Sequence, residues 1–177
     1  MNRFQSWGRY PKAEQDVSAM RCLDTTVPET EGKTILPYGL GRSYGGSCLN
    51  DGQALVETSG MNCFIRFNQE TGILCCEAGV TLDEILKLSV PKGWFLPTTP
   101  GTKFITLGGA IANDIHGKNH HVAGTFGCHV KAFELLRSDG TRMRCTSRTN
   151  TEFLKASIGG LGLTGLITWA EIRLKNR

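Results

Sequence analysis

Glycine is distributed along this chain in a way that few folds can use. Of its 22 glycines, five fall in positions 39–52, six in 101–127 and four in 159–165. The intervening residues are varied and no period repeats, so these are not low-complexity tracts. Glycine serves where the backbone needs a positive φ or must approach something closely. One such cluster can be a tight turn. Three separated clusters predict one large ligand gripped by backbone from several loops.

Little else in the composition is unusual. A chain of 177 residues with 40% hydrophobic and 20% charged residues reads as one globular domain or two small packed subdomains. Its 20 Lys+Arg against 16 Asp+Glu leave a net charge of +4. The basic residues are scattered rather than gathered on one face, so no nucleic-acid partner is expected. No stretch approaches the roughly 18 apolar residues of a membrane span, so no integral membrane segment is expected. The opening Met1-Asn2-Arg3-Phe4-Gln5-Ser6-Trp7 lacks the apolar core of a secretion signal, and the expectation is a cytoplasmic protein. Its seven cysteines (Cys22, Cys48, Cys63, Cys75, Cys76, Cys128 and Cys145) include no C-x-x-C pair. They read as reduced and mostly buried, without a disulfide or metal role.

Local patterns place the clusters in a fold. Lys33 to Pro37, Ala54 to Glu57 and Ile73 to Ala78 read as strands. Thr81-Leu82-Asp83-Glu84 is a capping box, followed by a helix that Pro91 ends. The Pro97 to Gly101 turn is the expected boundary between a first subdomain (1–97) and a second (98–177). Asp139-Gly140 between two strand-like runs predicts a hairpin. Thr149-x-x-Glu152 repeats the capping-box pattern before a short helix through Ser157. From Leu166 onward, Leu166, Ala170, Ile172 and Leu174 alternate with Ile167, Trp169, Glu171 and Arg173, which predicts a half-buried strand with those two faces. The fold class expected is α+β, with a small mixed or parallel sheet early, then an antiparallel sheet with flanking helices.

Gly160-Leu161-Gly162-Leu163-Thr164-Gly165 matches the dinucleotide fingerprint literally, but that motif needs a helix behind it and here a strand follows. The Rossmann reading fails. A phosphate can still sit in a nest of successive backbone N–H groups, and Arg42 and Ser43 add a charge and a hydroxyl to the first cluster. Asn113-Asp114-Ile115-His116-Gly117-Lys118-Asn119-His120-His121 holds three of the four histidines. A metal site would use His116 and His120 with Asp114 or His121, but Gly117 weakens the helix needed to align them. The alternatives are a solvated loop, or a polar wall beside a cofactor where imidazole and ammonium groups stabilise developing charge.

Three segments together resemble the FAD-binding domain of FAD-linked oxidases of the vanillyl-alcohol-oxidase and p-cresol-methylhydroxylase type. They are Tyr38 to Gly45, Pro100-Gly101-Thr102 with Thr106 to His121, and Gly159 to Gly165. The resemblance implies a two-subdomain α+β fold with FAD between the halves. It implies that the loop Pro37-Tyr38-Gly39-Leu40-Gly41-Arg42-Ser43-Tyr44-Gly45-Gly46-Ser47 wraps the diphosphate. Gly101, Thr106, Leu107, Gly108 and Gly109 would back the dinucleotide. Asn113, Asp114, Ile115 and His116 would approach the flavin, and Ile167 the adenosine end. Some relatives tether FAD through a histidine in the first loop; none stands there here, so FAD is expected to be non-covalent. Relatives also tend to carry aspartate where this chain has Gly46.

The activity implied is oxidation of a small alcohol, a sugar or polyol, by hydride transfer to the flavin, with His116 and Lys118 as catalytic candidates. Complete members continue into a substrate-binding domain, so this chain is expected to need that domain or a partner chain for turnover. A non-catalytic FAD or nucleotide module, and an enzyme like UDP-N-acetylenolpyruvoylglucosamine reductase, are the alternatives.

Overall fold

The computed structural model describes residues 4–22, 24 and 26–176. Met1, Asn2 and Arg3 of the opening segment therefore lie outside the described residues. The first strands are β1 (Asp16–Arg21), β2 (Ile35–Tyr38) and β3 (Ala54–Gly60). They form a parallel sheet in the order β1-β3-β2. The central strand is covered on both faces, which explains its unbroken apolar start Ala54-Leu55-Val56. Leu55 packs with Leu36 and Tyr38 on one side, while Val56 packs with Met20, Met61, Leu136 and Leu166 on the other.

An antiparallel sheet follows, built from β4 (Phe64–Asn68), β5 (Ile73–Glu77), β7 (Val130–Leu136), β8 (Arg142–Thr146) and β9 (Leu166–Arg173). Its order is β4-β5-β9-β7-β8. It therefore draws strands from both sides of position 97. A small pair, β6 (Trp94–Phe95) with β10 (Lys175–Asn176), closes one end. The helices are short: α1 (Leu82–Ser89), α2 (Leu107–Ala112), α3 (His120–Ala123) and α4 (Thr151–Ser157). Leu82, Ile85, Leu107, Ala110 and Ile111 from α1 and α2 fill the main core against Leu74, Phe133, Ala170 and Ile172 of this sheet.

The first capping box forms in full: Thr81 Oγ1 accepts the Glu84 N–H, and the Glu84 carboxylate accepts the Thr81 N–H at 2.8 Å. Lys103 and Lys87 hold the Asp83 carboxyl below its ordinary range, tying α1 to the loop before α2. That tie is present at neutral pH and is lost only as the pH falls through the lowered value. The hairpin over Asp139-Gly140 also forms, with Gly140 at φ 81.

Three expectations are corrected. The second capping box is not made. Asn150, at φ 51, starts α4 without a side-chain cap, and Thr146 Oγ1 accepts the Arg148 and Thr149 N–H groups instead. The β9 alternation breaks at Thr168, because Glu134 pairs with Trp169 while Leu135 pairs with Ile167. One extra residue in a strand turns the side chains beyond it to the other face. Ile167 consequently shares the main core with Ala170, Ile172 and Leu174, while Leu166 faces the second core.

The cysteines provide the third correction. A disulfide joins Cys22 and Cys63, with Cα atoms 5.8 Å apart. The cause is register: Arg21 pairs with Gly60, so the residue after β1 meets the turn after β3. Cys76, by contrast, is a fully buried thiol, and desolvation pushes its pKa up.

Candidate FAD site

The three glycine segments meet. A Cβ on Gly39 would lie 2.5 Å from Thr106 Oγ1, so the first segment touches the start of α2. Thr106 caps that helix by accepting the Gly109 N–H at 3.1 Å. The third segment docks on the end of α2 through Gly159 N–H to Ile111 O (3.0 Å) and Leu161 N–H to Ala112 O (2.8 Å). Its Gly162 then reaches the first segment again, where a Cβ would stand 3.3 Å from Pro37 Cδ.

Between them lies a cavity of about 740 Å³, within the usual range for small-molecule and cofactor sites. Of the residues expected at the cofactor, Pro37, Gly39, Leu40, Gly41, Arg42, Ser43, Tyr44, Ser47, Gly101, Thr106, Gly108, Gly109, Asn113, Ile115, His116 and Ile167 stand on its wall. Six others do not. Tyr38 turns its hydroxyl to Gln5, donating to the carbonyl at 2.7 Å. Leu107 is fully buried in the core. Asp114, at φ 41, accepts the Gly127 N–H at 2.8 Å and so shapes the turn after α2. Gly45 and Gly46 lie further along the first loop, and Lys118 is exposed.

Trp7, Cys48, Thr58, Ala78 and Ser157 on the wall escaped the sequence reading, while Leu161, Gly162, Thr164 and Gly165 come from the third glycine cluster, which was expected to grip the ligand without individual residues being assigned. Ser157 Oγ and Thr164 Oγ1 lie 2.7 Å apart across that cluster. Cys48 is half-buried, and desolvation pushes its thiol pKa up.

The histidine segment borders the same cavity through Ile115 and His116. His116 and His120 meet edge-on with ring centres 5.4 Å apart, and His120 and His121 at 5.9 Å. Asn119 fixes this turn by donating from Nδ2 to Pro97 O (2.9 Å) and accepting from Thr98 Oγ1 (3.2 Å). Gly117 packs so closely that a Cβ there would lie 2.2 Å from Thr99 O.

The cleft fits a diphosphate-linked coenzyme on two counts. Among the described residues, the backbone N–H groups of the wall residues Leu40, Gly41, Arg42 and Tyr44 donate to no protein acceptor, leaving a row of free donors on the first loop. Gly101 has an ordinary φ and open space where a Cβ would stand, so nothing within the chain requires glycine there. Chain packing explains Gly39 and Gly41 but not Gly101, whose place on the cleft wall leaves its backbone open to close approach by a ligand.

Comparison with known proteins agrees. A family model described as an FAD binding domain matches residues 10–146. The chain is 37% identical over 181 aligned residues to the decaprenylphosphoryl-beta-D-ribose oxidase of Mycolicibacterium smegmatis, covering 97% of this chain and 39% of that protein. It is 32% identical over 102 residues to human Delta(24)-sterol reductase, covering 58% of this chain and 20% of that one. With rat mitochondrial D-2-hydroxyglutarate dehydrogenase the identity is 28% over 134 residues, covering 72% and 25%. The chain thus spans well under half the length of these relatives. With the cleft, the donor row and the family match in agreement, this chain belongs to the FAD binding domain family of the FAD-linked oxidoreductases, and its coenzyme is FAD.

Proposed function

We propose that this chain is the FAD-holding part of an oxidoreductase that oxidises an alcohol, a sugar or polyol, with FAD bound non-covalently. The observation that carries the reading is the convergence of three glycine segments on one cleft whose wall also presents His116. The name of the mycobacterial relative, an oxidase of a ribose derivative, supports the substrate class, as does a second relative named for a hydroxy acid.

When bound, FAD supplies the two-electron acceptor for the alcohol carbon. The chain's own residues then have separable tasks. The free amides of the first loop and the Arg42 guanidinium hold the diphosphate. Asn113 and Ile115 flank the ring system. His116 hydrogen-bonds the substrate hydroxyl and takes or shares its proton, while Lys118 supplies positive charge from the adjoining turn. Most of the oxidase's length has no counterpart in this chain, and we assign the remaining substrate contacts to a further domain or a partner chain. A second reading is an FAD- or nucleotide-carrying module that is not itself catalytic and acts with a partner chain.

One experiment separates the two. Under anaerobic conditions, the FAD-loaded chain combined with the domain or partner chain that completes its substrate site should lose its visible flavin absorbance on addition of a sugar or polyol. A flavin that stays oxidised with every sugar, polyol and hydroxy acid tried supports the carrier reading. The mode of attachment has its own test. Acid precipitation of the yellow protein is expected to leave all the flavin in the supernatant, whereas a coloured pellet contradicts non-covalent binding.

A further inference from the structure

We propose that segment 5–9, which precedes the family-matched residues, is a built part of the FAD site, with Trp7 as the residue that positions Arg42 and Ser43 for the diphosphate. The proposal rests on FAD occupying the cleft described above. Segment 5–9 runs beside the first glycine loop in the same direction, and the contacts advance together. A Cβ on Gly41 would meet Gln5 O at 2.2 Å, the Trp7 N–H donates to Ser43 O at 2.8 Å, and a Cβ on Gly8 would meet Tyr44 O at 2.5 Å. Just beyond, Pro11 packs on Gly46. Tyr38 fastens the start of the strap, its hydroxyl donating to Gln5 O and accepting from the Gln5 N–H at 3.2 Å.

This strap sets the direction of loop amides. A trans peptide points its C=O and N–H to opposite sides. Ser43 O is directed at Trp7, so the Tyr44 N–H of the same peptide points away from the strap. Arg42 is held in a comparable way. Its guanidinium lies 5.4 Å from the centre of the Trp7 ring, and its Nη1 donates to Leu40 O. Among the described residues no carboxylate pairs with it. An unpaired guanidinium stacked on an indole beside a row of free N–H groups is a receptor for a multiply charged anion. Trp7 itself lines the cavity and is 59% exposed in the free chain, so its packing within the chain does not account for it.

The test titrates FAD and ADP, which share the diphosphate and the adenosine, onto the full chain and its variants. Trp7→Ala is expected to raise both dissociation constants about tenfold and to flatten their dependence on salt, because the guanidinium is no longer held in place. Trp7→Phe keeps a ring under Arg42 and should bind both within about threefold of the parent. In an Arg42→Met background, adding Trp7→Ala should cost little more, since the two residues act through one contact. Unchanged FAD and ADP affinity in Trp7→Ala would overturn the proposal. So would full additivity with Arg42→Met, which would mark Trp7 as a general structural residue. A parent chain that binds neither probe would instead defeat the coenzyme assignment on which the proposal stands.

Discussion

Gly41→Val is expected to abolish FAD binding at any practical concentration, a loss of at least about 100-fold or ~3 kcal/mol. Two causes add. Gly41 sits at φ +62, where a β-branched residue is strained, and its Cβ would lie 2.1 Å from Tyr38 Oη and 2.2 Å from Gln5 O. The loop must therefore move off the strap, and its unpaired amides lose their common direction. Gly101→Ala is the control that separates binding from folding. Its Cβ would enter open space at an ordinary φ, so thermal stability should be unchanged while FAD affinity falls. Flavin fluorescence titration with parallel melting curves reads both. Full FAD affinity in Gly41→Val would show that the diphosphate lies elsewhere.

The second large effect belongs to the disulfide. Cys22 and Cys63 are 41 residues apart in sequence, and closing a loop of that size removes about 4 kcal/mol of unfolded-state freedom. Replacing both by serine, or adding reductant to the parent, is expected to lower the melting temperature by roughly 10 °C for a chain of this size. The bond joins the edge of the parallel sheet to the strand that opens the antiparallel one, so its loss should also loosen the contact between them. Identical melting with and without reductant, together with two free thiols in the untreated protein, would show that the pair is not bonded.

What could be read from residue order, and what could not, divides by the range of the interaction. The Thr81–Glu84 cap and the Asp139-Gly140 hairpin depend on neighbours three or four positions apart, and both form as expected. The glycine clusters were legible because absence of a side chain is itself a backbone signal, and their convergence followed from needing a shared purpose. The Cys22–Cys63 bond was not legible, because it depends on Arg21 pairing with Gly60 across a parallel crossover. Nor was the bulge at Thr168, where strict alternation put Ile167 on the wrong face. Thr149 had a cap's sequence, but Thr146 took the local N–H groups first. The strap at Gln5, Trp7 and Gly8 carries no motif, since it touches the glycine loop largely through main chain.

The central claim is that backbone donors from separate turns surround a single coenzyme. Titration of the purified chain with FAD, followed by flavin fluorescence and by isothermal calorimetry, tests it most directly. The account predicts saturable binding of one FAD per chain, competed by ADP. No saturable binding, or binding that survives Gly41→Val and Gly101→Ala alike, would contradict it.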